Sequence, residues 1–337
     1  MVSFSDQSVG YHSGILAQMN KGMSKRGYLI SGASGRVGRH FVDRLQDRED
    51  VFVRALGRRE PCDILWDKLC VEDFQNIDVV YHFAGTTDLW SLRNDETTHF
   101  VVNVELSERI FALFLESDAT LFVYMSTAKV MGEGRAEAYR IGEMPQPVTG
   151  YAKSKWMAEQ RLMKLWLQYK ERYPDTKKRW VVLRPTMIYS AGGDGSLFKL
   201  QRWIEWGGPV LENWLSTKRS MVSMESVLDV LEEIPSAPLL LPCYFLADLP
   251  TMDLGEIISL MSGSGNKRIR TMSLKPWQRR FLLFVDKWLL GGRLSWQLHR
   301  METNFVVEGE GIWGVKGSEE LKLSERRLLA FIQSQKR

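Results

Sequence analysis

The stretch GASGRVG at residues 32–38 decides the fold, because it joins an apolar strand to a helix. Residues 28–31 are predicted to form the strand, and residues 39–46 place apolar side chains at helical spacing. A second apolar strand follows at residues 51–56. A strand, a helix and a second strand in this order predict a βαβ unit, which belongs to a parallel sheet.

Three glycines, Gly32, Gly35 and Gly38, recur at intervals of three residues within this stretch. Gly32 permits a tight turn, Gly35 lets backbone N–H groups approach a pyrophosphate, and Gly38 lets the helix pack close to the strand. The helix N-terminus adds a partial positive charge that favours an anion. The spacing differs from GxGxxG, so an ordinary turn is the alternative, but the position between a strand and a helix favours a dinucleotide site.

The alternation of strands and helices continues over the first two thirds of the chain. Further strands are predicted at residues 79–83, 121–125 and 180–183, with helices at residues 97–116 and 150–173. This pattern predicts an α/β fold: a Rossmann-like doubly wound parallel sheet with a smaller C-terminal substrate-binding lobe.

Three regions are expected along the chain. Residues 1–26 form an N-terminal extension that we expect to be poorly ordered. Residues 27–184 are expected to form the Rossmann domain that binds NAD(P) and carries the catalytic residues. In residues 185–337 glycine, proline and tryptophan become more frequent. We expect this region to form mainly the substrate-binding lobe, with some segments returning to the sheet.

The composition is that of a globular protein, with 44% hydrophobic and 26% charged residues among 337. The formal charge is +4 and the basic clusters are dispersed, so we expect no nucleic-acid partner. No apolar run reaches the ~18 residues of a membrane span, and no histidine has metal-ligand spacing, so we expect neither a transmembrane segment nor a metal site. The three cysteines lack CxxC spacing, which favours a reducing compartment and a cytoplasmic location.

The residues after the second strand bear on the choice of cofactor. An acidic residue there would bond the ribose 2′-hydroxyl of NAD, but residues 54–59 read RALGRR and contain none. A guanidinium at this position can pair with a 2′-phosphate, and Arg58 is the first candidate, with Arg59 the second. The sequence therefore favours NADP slightly over NAD, the alternative being that both arginines only solvate the surface.

A hydroxyl, a phenol and an amine occur in an order that suits proton transfer. Thr127 follows the strand that ends at Met125, and Tyr151 and Lys155 lie four residues apart on one face of the next predicted helix. A nearby ammonium lowers the pKa of a phenol, so Lys155 can prepare Tyr151 to exchange a proton while Thr127 holds the substrate oxygen. For the Tyr–Lys pair alone, a packed tyrosine or a surface ion-pair face is the alternative.

Five motifs together resemble an extended short-chain dehydrogenase/reductase of the NAD-dependent epimerase/dehydratase family, over residues 27–316. They are GASGRVG at residues 32–38, CDILWD at 62–67, YHFAG at 81–85, FVVNVEL at 100–106 and YAKSK at 151–155. The resemblance implies cofactor contacts, besides the three glycines and Arg58, from Arg36, Val37, Asp63, Ile64, Phe83, Ala84, Gly85 and Asn103, the last being structural or close to the cofactor. It also implies that Thr127, Tyr151 and Lys155 are catalytic.

The stretch STAKVMGEG at residues 126–134 is similar to bacterial nucleotide-sugar epimerases. Enzymes of that kind oxidise the C4 hydroxyl to a ketone and return the hydride to its other face, so the resemblance implies a nucleotide-sugar substrate and this chemistry. The implied substrate-binding residues are Ser126, Arg219 and Arg300. The two arginines could bond a diphosphate in bidentate fashion or lie at the rim as surface charges.

Two rival functions stay open at this stage. An NADPH-dependent reductase of a keto-sugar or other ketone would consume one cofactor per turnover, and a non-catalytic dinucleotide-sensing scaffold would keep only the fold. Family likeness also implies a possible homodimer, through the helices that start near residues 97 and 150. Residues 277–290 form a basic amphipathic segment that could lie on a membrane surface, cap the substrate pocket or pair two subunits. We favour an internal helix over peripheral contact with a membrane.

Overall fold

The computed structural model describes residues 25–59, 62–86, 99–190, 196–239, 241–262, 270–286, 288, 298, 300–308, 312–313 and 327. The prediction of a poorly ordered extension at residues 1–26 falls almost wholly outside this part of the chain. The first two residues of the helix predicted at residues 97–116 also lie outside it.

The described strands are β1 (Arg26–Ser31), β2 (Val51–Gly57), β3 (Ile64–Leu65), β4 (Val79–His82), β5 (Leu121–Met125), β6 (Arg179–Pro185), β7 (Met187–Tyr189), β8 (Val210–Leu211), β9 (Lys218–Arg219), β10 (Met221–Ser223), β11 (Cys243–Leu246), β12 (Met252–Asp253), β13 (Thr271–Met272) and β14 (Ile312–Trp313). The described α-helices are α1 (Arg36–Leu45), α2 (Leu106–Glu116), α3 (Gly150–Arg172), α4 (Ser196–Glu205), α5 (Glu212–Leu215), α6 (Met224–Glu233), α7 (Leu254–Ser262) and α8 (Pro276–Val285). A π-helical segment at Val101–Glu105 leads into α2. Short 3-10 turns lie at Val71–Phe74 and Ala128–Met131. A helix both long and apolar enough to cross a membrane does not occur among the described residues.

One parallel sheet organises the molecule. Within the described residues its strand order is β14-β11-β6-β5-β4-β1-β2-β3, and every neighbouring pair is parallel. The chain runs from β1 outward to β3 and then returns to place β4 on the other side of β1. This order confirms the predicted Rossmann-like doubly wound fold. It opens a crevice at the carboxyl ends of β1 and β4, where sheets of this kind bind ligands.

The sheet is covered on both faces, because the side chains of its central strands alternate between two hydrophobic clusters. Tyr28 and Ile30 belong to the cluster that includes α1 and α6. Leu29, between them in sequence, belongs to the cluster that includes α2 and α3. The period of two along β1 therefore fixes which helices lie on each face, and the carboxyl ends of the strands stay at one edge.

The C-terminal part of the chain is divided between the main sheet and a smaller cluster. Tyr189, Leu197, Val210 and Ile257 pack in a separate apolar cluster near the two-stranded pairs β7–β10, β8–β13 and β9–β12. Strand β11, in contrast, lies inside the main sheet between β6 and β14. Chain segments after residue 184 thus contribute to both bodies, while the substrate-binding role of residues 185–337 stays a prediction.

Helix α8 differs from the internal helix that the sequence favours. Trp277, Phe281 and Phe284 are 64%, 62% and 63% exposed, and Trp288, beyond the end of the helix, is 79% exposed. The expectation of an internal helix is therefore wrong for this aromatic face, which points to solvent.

Candidate active site

The glycine loop after β1 is fixed by backbone contacts. Gly32 has a left-handed backbone, with φ at +73°, and a Cβ there would lie 2.6 Å from the backbone nitrogen of Ala84. A Cβ on Gly38 would lie 2.2 Å from the carbonyl oxygen of Gly32. Side chains at these two positions would therefore separate the loop from β4 and α1.

The N-terminus of α1 follows the glycine loop and has no side-chain cap. Gly35 precedes the first helical residue and has no side chain to cap it, and the first turn contains no acidic residue. The first N–H groups of a helix lack partners within the helix, and together with the helix dipole they attract anions. The loop therefore has the geometry of a phosphate site.

The other predicted cofactor residues of α1 and β2 lie around this loop. The Arg36 guanidinium donates a hydrogen bond of 3.0 Å to the Ser190 hydroxyl, and Val37 packs against the core. Arg58 is exposed after the end of β2. An exposed guanidinium at this strand end is free to meet a ligand phosphate from the solvent side.

Asp63 and Ile64 have structural contacts of their own. The Asp63 carboxylate accepts a hydrogen bond of 2.7 Å from the Ala55 backbone N–H, and Ile64 is buried in the core. These contacts attach the segment before β3 to β2. Their predicted contact with adenine stays a prediction.

The loop after β4 lies against α3. A Cβ on Gly85 would lie 3.0 Å from Asn103 Oδ1 and 3.1 Å from Lys155 Nζ. Phe83 and Ala84 lead into it from β4, beside the glycine loop. The structure therefore brings the predicted cofactor residues 83–85 close to one of the predicted catalytic residues.

Asn103 holds this loop in place. Its side chain is fully buried, accepts a hydrogen bond of 2.8 Å from the Thr86 backbone N–H and donates one of 2.9 Å to the Ser154 hydroxyl. These bonds connect the loop after β4 with α3. Asn103 therefore has structural contacts, while its contact with the cofactor stays a prediction.

Thr127 and Tyr151 interact at the end of β5. Thr127 is 7% exposed and caps a short turn by accepting a hydrogen bond of 3.2 Å from the Lys129 backbone N–H. Burial raises the pKa of Tyr151 to about 12, and hydrogen bonding with the Thr127 side chain opposes that rise. We expected the charge of Lys155 to lower the pKa of Tyr151, but burial of the phenol is the largest effect and raises it. The phenol is therefore a proton donor at neutral pH.

Lys155 is the most strongly fixed of the three predicted catalytic residues. It is 3% exposed, and its Nζ donates a hydrogen bond of 2.9 Å to the Met125 carbonyl oxygen. Burial lowers its pKa from 10.5 to about 8, while the charge of Glu159 acts in the opposite direction. The amine is thus held at the end of β5, within reach of the loop after β4.

A buried ion pair lies beneath the site and was missed in the sequence. Arg184 Nη2 and Glu159 Oε2 are 2.6 Å apart, with side chains 7% and 5% exposed. The Ser126 hydroxyl donates to the same carboxylate. Ser126 is 2% exposed and its hydroxyl is occupied by Glu159, so its contact with substrate stays a prediction.

The spacing along α3 contains a signal for this pair. Tyr151, Lys155 and Glu159 follow one another at intervals of four residues and therefore share one helical face. A carboxylate on the face that carries a buried amine needs partners of its own, because an unpaired buried charge is costly. Its partner Arg184, on β6, could not be identified from spacing.

A cluster of cations forms beside the site, and its members are Lys129, Arg219 and Arg300 around the single carboxylate of Glu133. Lys129 Nζ lies 2.9 Å and Arg300 Nε 3.5 Å from Glu133 Oε2. Arg219 donates to the backbone carbonyl oxygen of Arg300. Burial, together with the neighbouring cations, lowers the pKa of Lys129 to about 8 and that of Arg219 to about 10. Lys129 and Glu133 were missed in the sequence, since charges in a loop usually indicate a solvated surface.

This fold and the residues at its crevice define a Rossmann-type α/β protein with a nucleotide-binding architecture. Residues 28–206, just over half of the chain, match the model of the NAD-dependent epimerase/dehydratase family. The chain belongs to this family, and the resemblance predicted from its motifs is confirmed. Membership supports a nicotinamide dinucleotide as the cofactor, without deciding between NAD and NADP.

A sequence relative shows the same relationship over a longer stretch. The chain is 26% identical over 218 residues to UDP-glucose 4-epimerase of Vibrio cholerae, covering 60% of this chain and 64% of that enzyme. The chain thus spans slightly less than two thirds of this relative's length.

Solved structures share the fold. The complex of MoeE5 with UDP-glucuronic acid and NAD has a TM-score of 0.61 and 18% identity, covering 92% of this chain and 99% of that chain. The dTDP-4-dehydrorhamnose reductase of Bacillus anthracis in complex with NADP has a TM-score of 0.58 and 16% identity, covering 76% and 86%. The similarity to these two structures is one of fold, and it covers most of this chain.

Proposed function

We propose that this protein is a nucleotide-sugar 4-epimerase that uses a nicotinamide dinucleotide. The observation that carries the proposal is the position of the cation cluster. Its member Lys129 lies in the turn that Thr127 caps, and Thr127 interacts with Tyr151. A diphosphate bound by the cluster would leave the attached sugar beside the phenol and the hydroxyl that exchange protons with it.

The charges of the cluster fit a diphosphate. Lys129, Arg219 and Arg300 supply three positive charges and Glu133 one negative charge, which leaves two positive charges for a ligand with two negative ones. Arginines bond phosphate oxygens in bidentate geometry, and their partial burial strengthens that bond. The similarity to the UDP-glucose 4-epimerase of Vibrio cholerae also supports a nucleotide diphosphate sugar.

The residues at the crevice fit a dinucleotide. A side chain at position 32 would fill the space that Gly32 leaves open beside the loop. The first N–H groups of α1 have no side-chain cap. Gly32, Gly35 and Gly38 would hold its pyrophosphate, and residues 83–85 its nicotinamide half. When bound, the nicotinamide supplies the acceptor for a hydride from the sugar and the donor that returns it.

The chain's own residues move the proton. In the first half-reaction Tyr151, as the phenolate, takes the proton of the C4 hydroxyl while the C–H hydrogen leaves with its electron pair as hydride, and a ketone forms. In the second half-reaction the phenol returns the proton to that oxygen. A positive charge close to the phenol is required for the first step, because burial alone holds its pKa near 12. Thr127 orients the reacting oxygen, and Lys155 carries a charge at the same edge.

The experiment is a product analysis. UDP-glucose and UDP-N-acetylglucosamine are incubated with the protein and a catalytic amount of NAD, and proton NMR follows the C4 configuration. We expect a mixture of C4 epimers without net change in cofactor redox state. The matched variant Tyr151→Phe should lose activity by about 10²–10⁴-fold while it binds the dinucleotide normally. Equal turnover by this variant would remove Tyr151 from the mechanism.

Other outcomes would identify other functions. Steady oxidation of the reduced cofactor with a keto-sugar indicates the reductase, loss of water from the sugar indicates a dehydratase, and dinucleotide binding without any turnover indicates the scaffold. Each of these results contradicts the epimerase.

A preference for NADP is also proposed, because Arg58 is exposed after β2 and no acidic residue stands in that stretch. The test compares the Kd values of NADP and NAD for the wild-type protein, Arg58→Ala and the control Arg59→Ala. Arg58→Ala should lower the affinity for NADP by about tenfold, which corresponds to the loss of one charged hydrogen bond, and should leave the affinity for NAD unchanged. Tighter binding of NAD by the wild-type protein contradicts the preference.

A further inference from the structure

Four aromatic side chains form one exposed stripe along α8 and just beyond it. Trp277, Phe281, Phe284 and Trp288 are spaced by four, three and four residues. At 100° per residue this spacing confines them to an arc of about 60° on a helical surface. The rings of Phe284 and Trp288 are neighbours, with centroids 6.5 Å apart. All four side chains are exposed, so the stripe is an unpartnered apolar face.

The opposite side of the segment is attached to the protein. Arg279 forms an ion pair with Glu302, and Asp286 is completely buried. The side of the segment that carries Arg279 and Asp286 therefore faces the protein, and the aromatic stripe faces outward. A water-exposed helix usually has the reverse arrangement, with its apolar side against the core.

Two further tryptophans are exposed in the C-terminal part of the chain, on α4 and just after it. Strand β13, just before α8, pairs with β8, just after α4. Helix α4 carries Trp203, which is 46% exposed, and Trp206, one residue beyond its end, is 75% exposed. These two tryptophans add to the exposed aromatic surface of the C-terminal part of the chain.

The charge around the stripe indicates what it contacts. From Lys267 to Arg300 the sequence contains nine lysines and arginines and a single acid, Asp286. Among the described ones, Lys275 is exposed just before α8, and Arg280 is exposed on α8, about 60° around the helix from Trp277. A stripe of tryptophan and phenylalanine in a strongly basic segment matches the headgroup region of an anionic bilayer, where aromatic rings insert and cations pair with lipid phosphates.

We propose that the stripe of Trp277, Phe281, Phe284 and Trp288 docks this protein on the surface of a membrane that contains anionic lipids. The helix lies in the plane of the interface and does not cross the bilayer. The proposal does not depend on the epimerase chemistry.

The test is cosedimentation of the full-length protein with phosphatidylcholine vesicles that contain about one third phosphatidylglycerol, at an ionic strength of about 0.15 M. We expect the protein to pellet with these vesicles, and to pellet less with pure phosphatidylcholine or at high salt. The variant Trp277→Gln/Phe281→Gln/Phe284→Gln should lower the partition coefficient by roughly tenfold or more, because three rings leave the interface. Lys275→Glu/Arg280→Glu should reverse the preference for phosphatidylglycerol.

The matched control removes exposed apolar side chains elsewhere. Met144, Leu167 and Tyr173 are 76%, 60% and 50% exposed. The variant Met144→Gln/Leu167→Gln/Tyr173→Gln should bind the vesicles as the wild-type protein does, and circular dichroism should show that all variants are folded.

Three outcomes would overturn the proposal. The first is a wild-type protein that stays in the supernatant, and the second is an equal loss of binding in the control. In the third, sedimentation velocity shows a wild-type dimer that the aromatic variant dissociates, without vesicle binding. That result would assign the stripe to contact between two copies.

Discussion

Lys155 is a buried amine whose folded-state pKa of about 8 lies below its ordinary value of 10.5. Between these values the unfolded chain binds the proton and the folded protein does not, so the free energy of unfolding rises with pH in this window. Lys155→Met should remove this contribution. Urea denaturation on either side of pH 8 measures it.

The control for this prediction is Lys153→Met on the same helix, where the side chain is exposed. That variant should keep the wild-type dependence on pH. An unchanged slope in Lys155→Met would contradict the buried position of the amine.

Arg219 provides a second prediction at the scale of one residue. If the cation cluster binds a diphosphate, Arg219→Met should lower the affinity for UDP by about ten- to a hundredfold, which corresponds to the loss of one charge-assisted hydrogen bond. Isothermal titration with UDP measures the change, and the Kd of the dinucleotide should stay the same. The exposed Arg202→Met serves as the control. Unchanged UDP binding in Arg219→Met would place the diphosphate elsewhere.

Single residues also show how far sequence patterns extend. The apolar strand predicted at residues 79–83 already places His82 in the core, and it is fully buried there, with its ring nitrogens 2.5 Å from the Ser31 hydroxyl and 2.7 Å from the Ser107 hydroxyl. Ser126 next to Thr127 could not be assigned in the same way. Adjacent residues in an extended segment point in opposite directions, so one hydroxyl can face a crevice while its neighbour faces the core.

At the scale of elements, the glycine loop gives the sharpest prediction. Gly32→Ala should destabilise the protein by several kcal/mol, about 1 from the left-handed backbone and the rest from contact with the Ala84 backbone. It should also abolish dinucleotide binding. Thermal unfolding and a cofactor titration measure the two effects.

Gly142 is a matched control, since its φ is +96° and a Cβ there would meet nothing within 4 Å. Gly142→Ala therefore isolates the backbone cost, about 1 kcal/mol, and should leave cofactor binding unchanged. Equal effects of both variants would show that the space beside Gly32 is unimportant.

The strands and helices of the sheet were predictable, since each is a local apolar pattern between turn residues. The strand at Leu121–Met125 has the predicted bounds, and α3 ends one residue before the predicted end. Pairings between distant segments were not predictable. The contact of Glu159 with Arg184, and the gathering of Lys129 with Arg219, depend on how β5, β6 and the later loops meet in space.

At the scale of the whole molecule, the part of the chain after residue 184 returns to the main sheet, as the prediction for residues 185–337 allowed. Strand β11 lies between β6 and β14 in the main sheet, so a fragment of residues 1–184 would leave the edge of β6 that faces β11 unpaired. We expect this fragment to be insoluble or molten by circular dichroism. Coexpression with residues 185–337 should restore a soluble complex, and a well-folded isolated fragment would contradict this prediction. A homodimer stays a prediction for sedimentation analysis.

The late position of β11 in the chain has a consequence for biosynthesis. While the ribosome is still translating the segment after β6, the nascent sheet exposes the apolar edge strand that Cys243–Leu246 covers later. Unpaired strand edges are sites where chains aggregate, so this interval is when a chaperone is most useful to the protein. Completion of the sheet therefore has to wait until these residues have left the exit tunnel.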